Sequence, residues 1–189
     1  MTAAENGERL TPKIAITVRL ERAQQGRPTM AKSYGAKSYG TVSADRQKAM
    51  TGLAFVQGLA DGSLPLNTIA RTLGYDVTDA ADGRVTIMAE PNGDHLNPAG
   101  TVHGGFSATL LDSCMGLAVQ STLAQGLGQT TVEFKISLVR PITPETGMIT
   151  AEGVVMNRGR RIGTAEGRIT DSNGRLLAHG TTTCLIFEN

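Results

Sequence analysis

Hydrophobic and polar positions change period several times along this chain, and each change predicts an element. Leu53, Phe55, Val56 and Leu59 fall on one side of a short helix that ends at Asp61-Gly62, and Pro65 blocks its continuation. Residues 69–77 and 85–89 read as two strands joined through the hairpin turn Asp82-Gly83. Residues 91–102 form a loop punctuated by Asn-Gly, Asn-Pro and Ala-Gly steps. From Gly105 to about Gln125 the pattern becomes helical. Phe106, Leu110, Leu111, Cys114, Leu117, Ala118 and Val119 cover much of the circumference, and a helix apolar on most sides is buried. Gly126 and Gly128 end it. Four strands follow. In 131–140, Val132, Phe134, Ile136 and Leu138 alternate with Thr131, Glu133, Lys135 and Ser137. Segments 148–157 and 161–171 flank an Arg158-Gly159-Arg160 turn, and Ser172-Asn173-Gly174 turns into 176–187. Two strands, one long buried helix and four strands in successive hairpins predict an α+β domain, an antiparallel sheet wrapped around one central helix.

Upstream of Met50 the pattern weakens. Ile14, Ile16, Val18 and Leu20 alternate as in a short strand, and Lys37-Ser38-Tyr39-Gly40 repeats Lys32-Ser33-Tyr34-Gly35. The expected organisation is a basic, flexible extension over residues 1–49 and a compact domain over 50–189. Charge sharpens that division: the net charge of +1 is the sum of +5 over residues 1–49 and −4 over the remainder. A basic arm can touch nucleic acid or anionic lipid, and a solvated tail is the preferred reading. Aromatics make up 4% of the chain and Trp is absent, so stacking platforms for single-stranded nucleic acid are not expected. Two cysteines are too few for a disulfide framework, and Cys114 and Cys184 both sit in apolar runs, as buried free thiols do. No apolar run reaches the ~18 residues of a membrane span, and no signal-peptide core opens the chain. A cytoplasmic protein with no nucleic-acid or membrane partner is the expectation.

Candidate chemistry concentrates in 97–120. Asn97 and His103 lie in a polar loop that runs through Gly104 and Gly105 into the apolar helix. Asp112 is the only formally charged residue between positions 95 and 132 with the histidines neutral. A helix start leaves backbone N–H groups unpaired and carries positive potential, which suits a carbonyl oxygen becoming an oxyanion. A carboxylate can act as general base on water or as a nucleophile that forms a mixed anhydride. Together these parts suit acyl transfer to water. Gly105 and Asp112 are ~10 Å apart along a helix, and the backward lean of the side chain recovers only part of that. Both groups must lie within ~3 Å of one reacting centre. Two antiparallel helices from two subunits solve this, so a homodimer with two shared sites is expected.

Structural roles compete for the same residues. Asp112 can hydrogen-bond a Ser or Thr across a helix pair, His103 can fix the loop or the helix start, and Asn97 can be a turn residue before Pro98. His95, His103 and His179 have no metal-ligand spacing, and Cys114 has no base a turn away. Arg158, Arg160 and Arg161 can hold the phosphates of a nucleotide-like carrier such as coenzyme A, or form a solvated turn. Neither a P-loop nor a strand–GxGxxG–helix occurs, and no cofactor or metal is expected.

Asn97-x-x-Gly100-x-x-His103-Gly104-Gly105 followed by Asp112, with Asn157-Arg158-Gly159-Arg160-Arg161 downstream, resembles the recurring segments of the hotdog-fold thioesterases of the PaaI (phenylacetate-pathway) group. The likeness covers about 50–188. It implies a long helix in a curved sheet, dimers that often pair into homotetramers, and hydrolysis of aromatic or medium-chain acyl-CoA. By position it implies Asp112 as base or nucleophile and the Gly104 or Gly105 amide on the thioester carbonyl. His103 and Asn97 would orient thioester or water, and Arg158, Gly159, Arg160 and Arg161 would lie near CoA. Some relatives place a hydroxyl one turn after the carboxylate. Gly116 stands there in this chain, which leaves the role to Ser113 or to no residue. Two other readings share the scaffold: a non-catalytic acyl-CoA sensor whose arm touches DNA, and an enoyl-CoA hydratase. Residues 1–49 lack a helix-turn-helix pattern.

Overall fold

The computed structural model describes residues 37–189, so the alternating stretch from Ile14 to Leu20 and the first Lys-Ser-Tyr-Gly copy lie outside the described residues. Ahead of Met50, Gly40 N–H donates to Leu66 O at 2.8 Å and Leu66 N–H to Ser38 O at 2.9 Å, and helix α1 spans Ala44–Lys48. Helix α2 (Gly52–Asp61) begins where the Thr51 hydroxyl accepts from Ala54 N–H, and ends at Gly62, whose φ of 82° lies in the left-handed region.

The expected strand 69–77 is corrected. Its first half is helix α3 (Thr68–Leu73), and strand β1 covers only Tyr75–Ala81. Asn67 Oδ1 accepts from Ala70 N–H at 3.1 Å and Gly74 closes the turn at φ 64°. Caps at both ends outweigh the short apolar alternation between them. Strand β2 (Arg84–Ala89) pairs antiparallel with β1 as expected.

Helix α4 (Gly104–Ser121) is the axis of the domain. Leu110, Leu111, Cys114, Met115, Ala118 and Val119 are fully buried along it. It stops short of the expected end near Gln125. The Ser121 and Thr122 hydroxyls donate to Ala118 O and Val119 O at 2.7 and 2.8 Å, a local competition that favours a helix end. Strands β3 (Leu127–Leu138), β4 (Ile149–Arg158), β5 (Ile162–Asp171) and β6 (Leu176–Glu188) complete the sheet.

The sheet is six-stranded and antiparallel, with order β1-β2-β4-β5-β6-β3, and α4 packs against one face. The α+β architecture predicted from the sequence is therefore present. The connectivity differs, because β3 and β4 do not form a hairpin. The segment 139–148 carries Pro141 and Pro144 and is too long for a tight turn, so the chain crosses over and β3 pairs with β6 at the sheet edge. Helix and sheet approach closely at Gly153 of β4, where a Cβ would fall on the backbone carbonyl of Cys114. Only glycine permits that contact, and it lets the sheet curve around the helix.

The β5–β6 turn is tied by one carboxylate. Asp171 accepts the amides of Asn173 and Arg175, both at 2.9 Å, and the Arg175 Nε–H at 2.6 Å. The Arg175 backbone amide first, then its guanidinium and the Asn173 amide, hold the Asp171 pKa below its ordinary value against the opposing effect of burial. The resulting stabilisation is present above the unfolded pKa of about 3.9 and is lost as pH falls through the lower folded value. Asp171→Asn is expected to lower Tm at pH 7, with the gap to the parent narrowing below about pH 4. Thermal unfolding between pH 7 and pH 2 checks this, and a gap independent of pH contradicts it.

Candidate active site

The loop before α4 is held by its own side chains. Asn97 Oδ1 accepts from Ala99 N–H at 2.9 Å and Thr101 N–H at 3.3 Å, and Asn97 Nδ2 donates to Thr101 Oγ1 at 2.8 Å. Asn97 is thus the turn residue that the sequence allowed, yet it also lines the cavity described below. His103 caps α4: its Nδ1 accepts from Gly105 N–H at 2.9 Å. With Nδ1 occupied as acceptor, the neutral ring carries its proton on Nε2. Phe106 N–H donates to His103 O at 2.9 Å. The Gly105 amide is therefore committed to the cap, while the Gly104 amide has no acceptor among the described residues. Gly104 lines a cavity of about 220 Å³ together with Asn97, Thr101, Val102, Ser107 and the 138–142 segment.

His95, which the sequence excluded only as a metal ligand, supports this corner. It is buried, its Nδ1 accepts from Asn92 N–H at 3.1 Å, and its ring lies 4.5 Å from that of Phe106. Its carbonyl accepts from His103 N–H at 2.7 Å, which sets the entry angle of the chain into α4. A second cavity of about 330 Å³ on the other flank is bordered by Ile69, Leu73, Leu96, His103 and Phe106.

Asp112 is half-buried on α4 and accepts from the Thr131 hydroxyl at 2.9 Å. The partner stands on a strand of the sheet and not on a second helix. Thr131 was invisible as a site residue because simple alternation puts it opposite the apolar set of β3. A bulge between Thr131 and Glu133 resets the phase. Thr131 faces Cys184, Phe134 faces Thr182 and Leu138 faces Ala178, so all three share the helix side. Gly116 makes room for this arrangement: a Cβ there would lie 3.3 Å from Gln129 Nε2 and 3.6 Å from Thr131 Oγ1.

Ser113 takes another direction. The Tyr75 hydroxyl donates to Asn67 Oδ1 at 3.1 Å, and Ser113 Oγ lies 3.1 Å from the same phenol, so Ser113 is the donor in that second bond. It faces β1 and α3, away from Thr131. Gly104 and Asp112 are eight positions apart on α4, about 12 Å along the axis, and Asp112 does not line the cavity at Gly104. Arg158, Arg160 and Arg161 come together around a separate cavity of about 470 Å³, with Leu127, Ile186 and Phe187, while Gly159 N–H closes their turn onto Ile162 O at 2.8 Å.

Cys114 is not a nucleophile. Burial pushes its thiol up to about 12, and Sγ donates to Leu111 O at 3.3 Å. Burial raises Cys184 as well. Both are expected to resist iodoacetamide at pH 8 in the native protein and to react once it is unfolded. Mass spectrometry of labelled native protein checks this, and fast modification of Cys114 contradicts it. No helix among the described residues is long and apolar enough to cross a membrane.

The chain is similar to several known proteins. The family profile described as thioesterase superfamily matches residues 99–178. Human acyl-coenzyme A thioesterase 13 is 31% identical over 116 residues, which cover 60% of this chain and 81% of that protein. A Halobacterium salinarum protein named for an inferred esterase activity is 35% identical over 99 residues, 50% of this chain and 64% of the other, just under two thirds of its length. The crystal structure of a phenylacetic acid degradation-related protein from Ralstonia eutropha superposes with a TM-score of 0.63 at 28% identity, over 69% of this chain and 98% of that one.

Proposed function

This chain belongs to the thioesterase superfamily, and from that premise we propose that it hydrolyses acyl-CoA thioesters to the free acid and CoA. The observation that carries the reading is the Gly104 amide, a backbone donor without an acceptor at the start of an 18-residue helix, open to a cavity that Asn97 also lines. An amide so placed, with the helix dipole behind it, stabilises the oxyanion of a tetrahedral intermediate. His103, which borders the second cavity, is held through Nδ1 with Nε2–H left as a donor that this reading assigns to the thioester, and Asn97 Nδ2 keeps one hydrogen for it. Asp112 has one oxygen on Thr131 and the other for a water. As base it takes the water proton while the hydroxide adds to the carbonyl. As nucleophile it adds directly, and water then opens the anhydride. In both routes the C–S bond breaks and the sulfur leaves as CoA thiol.

The aromatic or medium-chain preference finds support in the Ralstonia protein's naming for phenylacetic acid degradation, and the CoA group in the human relative's name. The three arginines of the β4–β5 turn are matched in charge to the phosphates of CoA. Sharing of the site between two chains follows from the gap between Gly104 and Asp112. β3 has no neighbour on its outer edge among the described residues, and Val132 on it is exposed. An unpaired strand edge is a template for pairing with a second copy, and a shared site requires that pairing to bring Asp112 of one chain toward the partner's Gly104. The test is a panel of benzoyl-, phenylacetyl- and straight-chain acyl-CoAs read with a thiol reagent. Release of free CoA thiol from at least one is the expected result, and release from none overturns the reading.

A further inference from the structure

Leu138 occupies an unusual position. It is the last residue of β3 and stands on the helix side of the sheet, yet it is 57% exposed. Its side chain packs close to Gly104: a Cβ built there would lie 2.8 Å from Leu138 Cδ1. The backbone beyond it is pinned on two sides. Val139 and Arg140 N–H both donate to Leu177 O, at 2.8 and 3.0 Å, and the Arg140 guanidinium donates to Leu176 O at 2.5 Å. Ile142 O accepts from Val102 N–H at 2.8 Å, which ties the same segment to the loop before α4. The strand end is therefore rigid, and the leucine side chain is the adjustable part of this wall. Of the other lining residues, Val102, Ser107 and Ile142 are buried, while Val139, Arg140 and Pro141 are exposed on the pinned backbone beyond Leu138.

We infer that Leu138 sets the size of the acyl group by walling the cavity beside the Gly104 amide. The inference rests on the acyl-CoA reading above and narrows its substrate class. A dry apolar cavity of about 150 Å³ holds one benzene. The space here, about 220 Å³, suits a single ring with a short linker, or an unbranched chain of similar bulk. A carbonyl bound at Gly104 has its acyl substituent next to the leucine methyls, so the bulk at position 138 decides how far that substituent extends.

The experiment compares Leu138→Ala and Leu138→Phe with the parent, using acetyl-, benzoyl- and decanoyl-CoA. Binding of the non-hydrolysable thioether analogues of the same three is measured in parallel. Leu138→Ala is expected to raise the decanoyl-to-benzoyl ratio of kcat/KM about tenfold, and Leu138→Phe to lower the benzoyl-to-acetyl ratio by about the same factor. Because the side chain is more than half exposed, both variants keep the parent's Tm within a few degrees. Ratios unchanged in both variants, in turnover and in binding, overturn the inference while leaving hydrolysis by the parent intact. A parent that hydrolyses nothing, with analogue-binding ratios that still shift, overturns the thioesterase reading and upholds the role of Leu138.

Discussion

Asp112→Asn is expected to lower kcat by roughly 10³-fold on the best acyl-CoA substrate, with KM nearly unchanged. The amide has the shape of the carboxylate and can keep the bond from the Thr131 hydroxyl through its oxygen, so the local packing survives. It cannot take a proton from water at neutral pH, and it cannot attack a carbonyl to form an anhydride. Both routes available to Asp112 therefore fail in the same variant. Unchanged KM is expected because the side chain acts in the transition state and not in holding CoA. Asp112→Ala, which also gives up the Thr131 bond, is expected to lose at least as much. Steady-state kinetics with matched thermal unfolding check both, and a kcat within tenfold of the parent for either variant removes Asp112 from the mechanism.

Gly104→Pro should cost about 10²–10³-fold in kcat with little loss of stability, the usual effect of deleting an oxyanion donor. Position 104 is the first helical residue, where proline is well tolerated because its missing N–H has no intrahelical role. His103 already has φ −60° and ψ 137°, the extended conformation that a following proline requires. A Cβ at this position meets only Leu138 Cδ1, the far end of a flexible side chain. The substitution thus removes one hydrogen-bond donor and leaves the helix intact. Gly104→Ala supplies the control, since it makes the same contact with Leu138 but retains the amide. Proline and alanine variants of equal activity would show that the Gly104 N–H has no part in the reaction.

Mixing the two defective proteins tests where the site lies. If Asp112 of one chain serves the partner's Gly104, half of randomly paired dimers are mixed, and each mixed dimer has one intact site of two. Unfolding and refolding Asp112→Asn with Gly104→Pro in equal amounts should then restore about one quarter of parental activity. A site contained in one chain restores none.

The bulge in β3 shows why part of the site was hidden. Alternation along 131–138 sorts Val132, Phe134, Ile136 and Leu138 onto one face and Thr131 onto the other. One extra residue after Thr131 cancels that sorting, and nothing in the side-chain pattern marks it. Thr131 reaches Asp112 only because of it. Ser113 illustrates the opposite case. It adjoins Asp112 in the chain, but successive helical residues point about 100° apart. Ser113 consequently meets Tyr75 while Asp112 meets Thr131. The choice between the Gly104 and Gly105 amides was likewise open until the His103 ring was placed, since that ring takes one of the two. In α3, end caps overrode an apolar pattern that reads as strand.

By itself the sequence determined the elements whose causes are local. The buried helix follows from its apolar circumference, its start from the His103-Gly104-Gly105 step, its single carboxylate from composition, and the strands of 131–187 from alternation between turn residues. These depend on residues within a turn or two of one another, so the chain order contains them. Tertiary structure alone decided that β3 lies beside β6, that Thr131 faces Asp112, and that Leu138 packs close to Gly104. Each of these depends on register or crossover between segments distant in the chain, where one inserted residue turns a side chain to the opposite face.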